Sequence, residues 1–386
     1  MTVKGTFKNG SRGFMNRVYI NSFGAFLPGK PVSNKDMESY LGHVGGKSSR
    51  HRALVLKHNR IKHRHYAMDT NGAPQYSNAE MAAHAIRDAV QKSEVTLNDI
   101  TYLATATSLG DMLLPGLASH IHAELKLPPI EIASFQSVCA SALMAIKTAY
   151  LQVKSGEHRC AAVSGSEFAS RYFRPGFYEC TTAFQETGEV PLQADFLRFT
   201  LSDGAGAALL ENKPNARQAS LEIRWVDIRS YADRFETCMV GGGVLGKSGM
   251  RFWGDFESPV RAAEAGTYIL MQDFDLMKRM LPVWVSHYLD LLDQGKIGDI
   301  DYFCSHYSSH SLREEAVVLL KKAGAMIPEE KWFSNLSDKG NTGAASIFII
   351  LEELYRQKQL KTGERILCHV PESGRGLNGF MMLEVA

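Results

Sequence analysis

Short β-rich runs alternate with longer runs of helical spacing along the chain, and the same rhythm recurs in its second half. That alternation restricts the fold to α/β layers, with helices covering mostly parallel strands. In the first half Arg17–Phe26, Ile100–Ser108, Ile130–Phe135, Ala161–Ser166 and Leu201–Leu210 read as strands. Ser77–Lys92 reads as a helix, with apolar residues at helical spacing behind Ser77 and Asn78 and with Glu80 supporting the cap. Val32–Leu41, a stretch from near Pro115 to Leu125, and Cys139–Lys154 read as further helices. In the second half Leu221–Asp227, Tyr302–His306, Ile366–Pro371 and Gly379–Val385 read as strands. Helices are expected over Asp273–Asp293, with a kink or a start at Pro282, over Ser311–Ala323, and from the loop GNTGAAS to about Gln359.

At 386 residues the chain is too long for one ordinary core. The recurring order suggests an internal duplication, with halves at 1–212 and 213–386 meeting in the polar stretch Glu211–Ser220. The segment Arg171–Phe199 lacks clear periodicity, and a loop of that length reads as a dimer- or tunnel-lining element. A net charge of +2 gives no bulk electrostatic case for nucleic acid or a membrane surface. No apolar run approaches the ~20 residues of a membrane span. The opening run MTVKGTFKNGSRGF lacks the apolar region of a secretory signal, so the expectation is a cytoplasmic protein. The six cysteines are scattered without a CxxC pair, which points to free thiols rather than a metal site.

Three residues stand where chemistry is placed in such folds. Cys139, in SVCASALMAIKTAY, lies between a short strand and an apolar helix. The positive end of a helix lowers a thiol's pKa and favours the thiolate, although a buried core cysteine would sit in the same pattern. His306 follows a strand and precedes a helix, with His310 as its competitor. Asn341 stands between Gly340 and Gly343, where a tight turn is easy and a turn asparagine is common.

Taken together, a strand–Cys–helix elbow followed by His and Asn on two later loops resembles the thiolase superfamily, in particular the β-ketoacyl synthase III-like enzymes. The likeness runs through INSFGAFLPGKPVSN, ATSLGDMLLPGLASHIHAEL, SVCASALMAIKTAYLQVKSGE, LSDGAGAALL, KGNTGAASIFIILEE and GRGLNGFMMLEV. It implies a duplicated five-layer αβαβα fold with mixed sheets, a homodimer, and no cofactor. It implies that Cys139 accepts an acyl group from a thioester, while His306 and Asn341 hold the second thioester's carbonyl. The backbone N–H groups of Cys139 and Gly374 are the matching oxyanion donors.

Two departures refine the resemblance. Leu54 and His58 stand where members that use coenzyme A carry an adenine clamp. The surrounding stretch Lys47–Arg64 contains no acid, and Lys57, Arg60, Lys62 and Arg64 form a candidate dock for an acyl carrier protein, which is favoured over coenzyme A. A solvated basic face is the plainer reading of those charges. The second departure is Glu167, either an extra proton-transfer group or a structural partner of an arginine such as Arg171. DFLRFTLSDGAGA, HYSSHSLREE and PESGR are most similar to ketosynthases that build dialkylcyclohexanedione or dialkylresorcinol rings. The alternatives are a plain synthase III elongating acyl chains with malonyl carrier protein, a non-catalytic partner subunit, and a cysteine hydrolase that would not need Asn341. A degradative thiolase is disfavoured, because PESGRGLNG lacks a second cysteine.

Overall fold

A computed structural model describes residues 16–246 and 249–386. The polar opening run read above lies outside the described residues, apart from its neighbours from position 16 onward. Ten strands form the main sheet: β1 (Tyr19–Phe26), β2 (Tyr102–Thr107), β3 (Glu131–Gln136), β4 (Cys160–Glu167), β5 (Gly204–Glu211), β6 (Leu221–Ser230), β7 (Tyr302–Ser305), β8 (Trp332–Phe333), β9 (Arg365–Pro371) and β10 (Leu377–Val385). Their spatial order is β8-β7-β9-β10-β6-β1-β5-β4-β2-β3. The first five strands and the last five follow the same internal order. In each group the first strand pairs antiparallel with the fifth and the fifth antiparallel with the fourth; the fourth is parallel to the second and the second to the third. Among the described residues the strands of the two groups pair at Tyr19↔Glu222 and Ile20↔Leu221, where Ile223 N also donates to Val18 O at 2.9 Å. The expectation of mostly parallel strands is therefore corrected: each group ends in an antiparallel return, which brings its last strand back beside its first.

Six longer helices complete five layers: α1 (Asn78–Gln91), α2 (Leu117–Leu125), α3 (Ser141–Ser155), α4 (Phe274–Asp293), α5 (His310–Lys322) and α6 (Ser346–Gln357). Helices α1 and α2 cover the first group over Leu103, Met81, Ile86 and Ile121. Helices α4 and α5 cover the second over Tyr288, Leu291, Leu320 and Phe380. Helices α3 and α6 lie between the groups, and each touches strands of both. Their shared core joins Ile20, Phe23 and Tyr102 to Phe348, Cys368 and Met381. The Gly/Ala strand β5 lets α6 approach closely: a Cβ at Gly206 would lie 2.5 Å from that of Phe348.

Local chemistry explains the helix ends. Ser77 accepts from Glu80 N at 3.1 Å while Ser77 N donates to Glu80 Oε2 at 2.7 Å, which closes the expected capping box on α1. Helix α4 runs on through Pro282, with Met280, Leu281 and Trp284 buried on either side of it. Val32–Leu41 is not one helix. Val32–Ser33 pairs with His63–Arg64, and the Ser33 hydroxyl bonds Asp36 to form a turn before the short helix Met37–Leu41. The segment Arg171–Phe199 is also more ordered than expected. It holds helices Gly176–Glu179, Thr182–Thr187 and Leu192–Arg198, each too short for a periodic pattern to show. Among the described residues no helix is long and apolar enough to cross a membrane.

Candidate active site

The duplicated order places Cys139 and Asn341 at corresponding points. Cys139 lies on the turn from β3 into α3, and Asn341 on the turn from β8 towards α6. His306 is the residue directly after β7, and its N–H donates to His369 O at 2.9 Å. Two cavities meet at Cys139. The first encloses about 780 Å³ including its mouth; Cys139 and His306 line it with Met277, Leu281, Trp284 and Leu312. The second encloses about 1050 Å³ including its mouth, and Cys139, Glu167 and Asn341 line it with Tyr172 and Leu197. Tyr172 and Leu197 belong to the segment that lacked periodicity. His310 lines neither cavity; its Nε2 pairs with Ser337 Oγ at 3.0 Å.

Each side chain is turned by its neighbours. Asn341 Oδ1 accepts from Gly343 N at 3.0 Å, so its amide NH₂ is left to point elsewhere. Gly343 has φ 52°, and a Cβ there would lie 2.9 Å from the Glu167 side chain. Burial lowers the pKa of His306 to about 4, so it is a neutral imidazole able both to accept a proton and to donate one N–H. Beneath it a hydrogen-bonded chain runs through the core. Asp227 Oδ1 faces His287 Nε2 at 3.1 Å, His287 Nδ1 faces Asn378 Nδ2 at 3.1 Å, Asn378 Oδ1 faces His369 Nε2 at 2.9 Å, and His369 Nδ1 faces Ser305 Oγ at 3.0 Å. That chain ties β6, α4, β10, β9 and β7 together beside His306.

Cys139 departs from the expectation of a lowered pKa. Helix α3 begins two residues later, at Ser141. Burial first, then the nearby carboxylates of Glu372 and Glu167, push the thiol well above its ordinary range. Cys139 therefore rests as a thiol. Glu167 Oε1 accepts from Ser108 N at 3.0 Å, Ser108 Oγ at 2.8 Å and Ala344 N at 3.2 Å. Burial still raises its pKa to about 7. Its suggested partner Arg171 pairs instead with Asp111 at 2.6 Å. Gly374 O accepts from Cys238 N at 2.8 Å, and none of the described residues accepts from its N–H. A Cβ at Gly374 would lie 3.1 Å from Val138, which places this loop against the turn that carries Cys139.

Of the four basic docking candidates, Lys57, Arg60 and Lys62 are exposed, and Arg60 pairs with Glu314 at 2.6 Å. Arg64 is a correction. It is fully buried, donates to Phe199 O and Ile61 O, and packs its stem against Gly340 beside Asn341, so it supports that turn and meets no partner. The sequence reading passed over Glu372. It follows β9 in what looks like an ordinary turn, and Ser137, its partner across the fold, is distant in sequence.

The duplicated five-strand order is that of the thiolase fold, and Cys139, His306, Asn341 and Glu167 line its two joined cavities. Residues 293–383 match the family model for the 3-oxoacyl-[acyl-carrier-protein] synthase III C-terminal region. The β-ketoacyl-[acyl-carrier-protein] synthase III of Clostridium perfringens is 23% identical over 92% of this chain and 95% of its own. Among solved structures, AbyA1, a tetronic acid condensing enzyme, superposes with a TM-score of 0.75 at 22% identity, covering 95% of this chain and 99% of its own. OleA of Xanthomonas campestris gives a TM-score of 0.70 at 18% identity, covering 97% and 99%. The chain is thus similar to β-ketoacyl-[acyl-carrier-protein] synthase III enzymes over most of its length, and its C-terminal region matches their family model.

Proposed function

We propose that this chain is a ketosynthase that loads an acyl group on Cys139, joins it to a β-ketoacyl thioester, and closes the product to a dialkylcyclohexane-1,3-dione or resorcinol precursor. The observation that carries this reading is the meeting of two separate cavities at Cys139. One gives an apolar channel for a chain on the thiol, and the other gives a chamber with a carboxylate for the second reactant. In loading, the thiol attacks the thioester carbonyl as its proton passes to His306. The Cys139 and Gly374 N–H groups hold the oxyanion. Collapse expels the carrier thiolate, which takes the proton back from the imidazolium.

In condensation, the carbon between the two carbonyls of the second thioester loses a proton to Glu167. Such a carbon is acidic enough for a carboxyl group whose pKa lies at about 7. The enolate oxygen is held by the His306 N–H and the Asn341 amide. On an α,β-unsaturated acyl group the enolate carbon adds to the β-carbon of the chain, and the new enolate of the Cys139 thioester takes the proton back from Glu167. Glu167 then removes a proton from the carbon on the far side of the ketone. That carbanion attacks the Cys139 thioester carbonyl, the C–S bond breaks, the thiolate takes the proton from Glu167, and a six-membered ring closes with the second thioester still attached. The exposed Lys57, Arg60 and Lys62 fit an acidic carrier protein as thioester donor. The family match and the synthase III relative equally favour plain elongation with malonyl carrier protein, a second reading that leaves Glu167 without a ring-closing role.

Intact mass after incubation with an acyl thioester tests the common step: an acyl adduct is expected on the native chain and absent in Cys139→Ala. Product masses from paired acyl and β-ketoacyl thioesters then separate the two readings. Cyclic product is expected, with Glu167→Gln keeping the adduct and losing cyclic product by at least tenfold. Undiminished cyclic product in that variant removes Glu167 from the mechanism, and elongated open chains from malonyl carrier protein alone establish the second reading.

A further inference from the structure

The repeated strand order also relates two buried glutamates. Glu167 is the last residue of β4, and Glu372 is the first residue after β9, its counterpart in the second group. Each reaches across to the other group's central helix. Glu167 Oε1 accepts from Ala344 N on the turn that leads from Asn341 into α6. Glu372 faces the turn that leads from Cys139 into α3: the Ser137 hydroxyl lies 2.8 Å from both of its oxygens. The N–H groups of Ala140 and Val138 also face it and favour its ionised form, as does that of Arg375 from its own loop. Helix α3 has no side-chain cap of its own, because Ala140 occupies that position. The carboxylate that serves these orphan N–H groups comes from the opposite half.

The two glutamates differ in one respect. Glu167 lines the second cavity, whereas Glu372 lines neither and spends its oxygens on the two loops. A Cβ at Gly374 would stand 2.5 Å from Glu372 Oε1. One carboxylate thus touches both backbone segments that carry the oxyanion donors, Cys139 N–H and Gly374 N–H. We propose that Glu372 is a positioning residue that bridges the nucleophile turn to the Gly374 loop and sets the spacing of the two oxyanion donors around the Cys139 thiol. The inference rests on the reading of Cys139 as the acyl-accepting nucleophile.

Its negative charge opposes thiolate formation at Cys139, so a positioning role and an activating role predict opposite results. The test is Glu372→Gln, with Glu167, the other carboxylate near the thiol, left in place. Alkylation by iodoacetamide across a pH series reports thiol ionisation, and acyl adduct formation from a thioester reports oxyanion geometry. In Glu372→Gln the alkylation midpoint should move to lower pH while acylation slows by about 10- to 100-fold, since a lost oxyanion donor costs on the order of 10²–10³ in rate. Glu372→Asp keeps the charge, so its alkylation midpoint should stay near the native one while acylation slows less.

An alkylation midpoint that rises in Glu372→Gln would make Glu372 an activating base and overturn the proposal. Native acylation rates in that variant would overturn it equally. Should Glu372→Gln fail to fold, Ser137→Ala carries the same test: removing one donor to Glu372 should slow acylation about threefold or more with the thiol still titrating near its native midpoint, and an unchanged rate counts against the bridge. If the native chain forms no adduct at all, the nucleophile reading fails, and the alkylation midpoints still report whether Glu372 opposes the thiolate.

Discussion

At the residue scale, burial pushes each titratable group of the candidate site towards its neutral form. Cys139 stays protonated, His306 stays neutral, and Glu167 and Glu372 both titrate at about 7. These shifts carry a signed consequence for stability. His306 has its folded pKa at about 4, below its ordinary 6.5, so its contribution is present above pH 6.5 and is lost as pH falls towards 4. The two glutamates act oppositely: their contribution is present below 4.5 and is lost as pH rises through about 7. A single-site comparison separates the trends. The stability of His306→Gln relative to the native chain, from urea unfolding, should improve between pH 7 and pH 5 by on the order of 2 kcal/mol. A difference that does not move with pH would mean that His306 is not held neutral. That Cys139, His306 and Asn341 stand at the cavities was legible in the sequence, because each sits where a strand hands over to a helix or beside glycines. The thiol's raised pKa was not, since it depends on carboxylates from two other loops. Arg64 misled for a related reason: a charge within a basic run reads as surface until the backbone carbonyls that surround it are known.

At the element scale, strands and long helices were legible because burial on one face imposes a period, while short elements were not. The Ser77–Glu80 box is the clearest local signal, and its two hydrogen bonds form as the spacing requires. Ser77→Ala should lower stability by about 1 kcal/mol in chemical unfolding, the usual cost of removing a serine cap. An unchanged midpoint would mean that tertiary packing of Met81, Ala82 and Ile86 alone holds the end of α1. Pro282 shows the converse. A proline inside a helix removes one ladder bond, and sequence alone expects a kink or a helix start there. Buried Met280, Leu281 and Trp284 pack both sides against Leu312 of α5 and Cys238, and α4 continues. The helices between 176 and 198 are four to seven residues long, below the length at which apolar spacing distinguishes a helix from a loop.

At the scale of the whole molecule, the duplication was visible as rhythm but not as residue identity, because what repeats is strand order and direction. That order leaves β3 at one edge of the sheet. An edge strand presents unpaired N–H and C=O groups, and natural proteins blunt such edges with lysine, proline or a covering element. β3 reads EIASFQ, with neither lysine nor proline, and its side chains alternate in exposure. Ile132 is 37% exposed on it, and Met112, Leu113 and Leu114 are 60–80% exposed on the loop after β2. An open edge beside an apolar loop is suited to a second copy of the same chain, paired about a two-fold axis. Light scattering on the native protein should therefore give twice the 42.8 kDa mass of one chain. Placing charge on the edge and the loop together, Ile132→Lys with Leu113→Lys, should shift the particle to a single chain at low micromolar concentration. A double variant that remains dimeric would move the interface elsewhere, and a native protein that scatters as one chain would remove it.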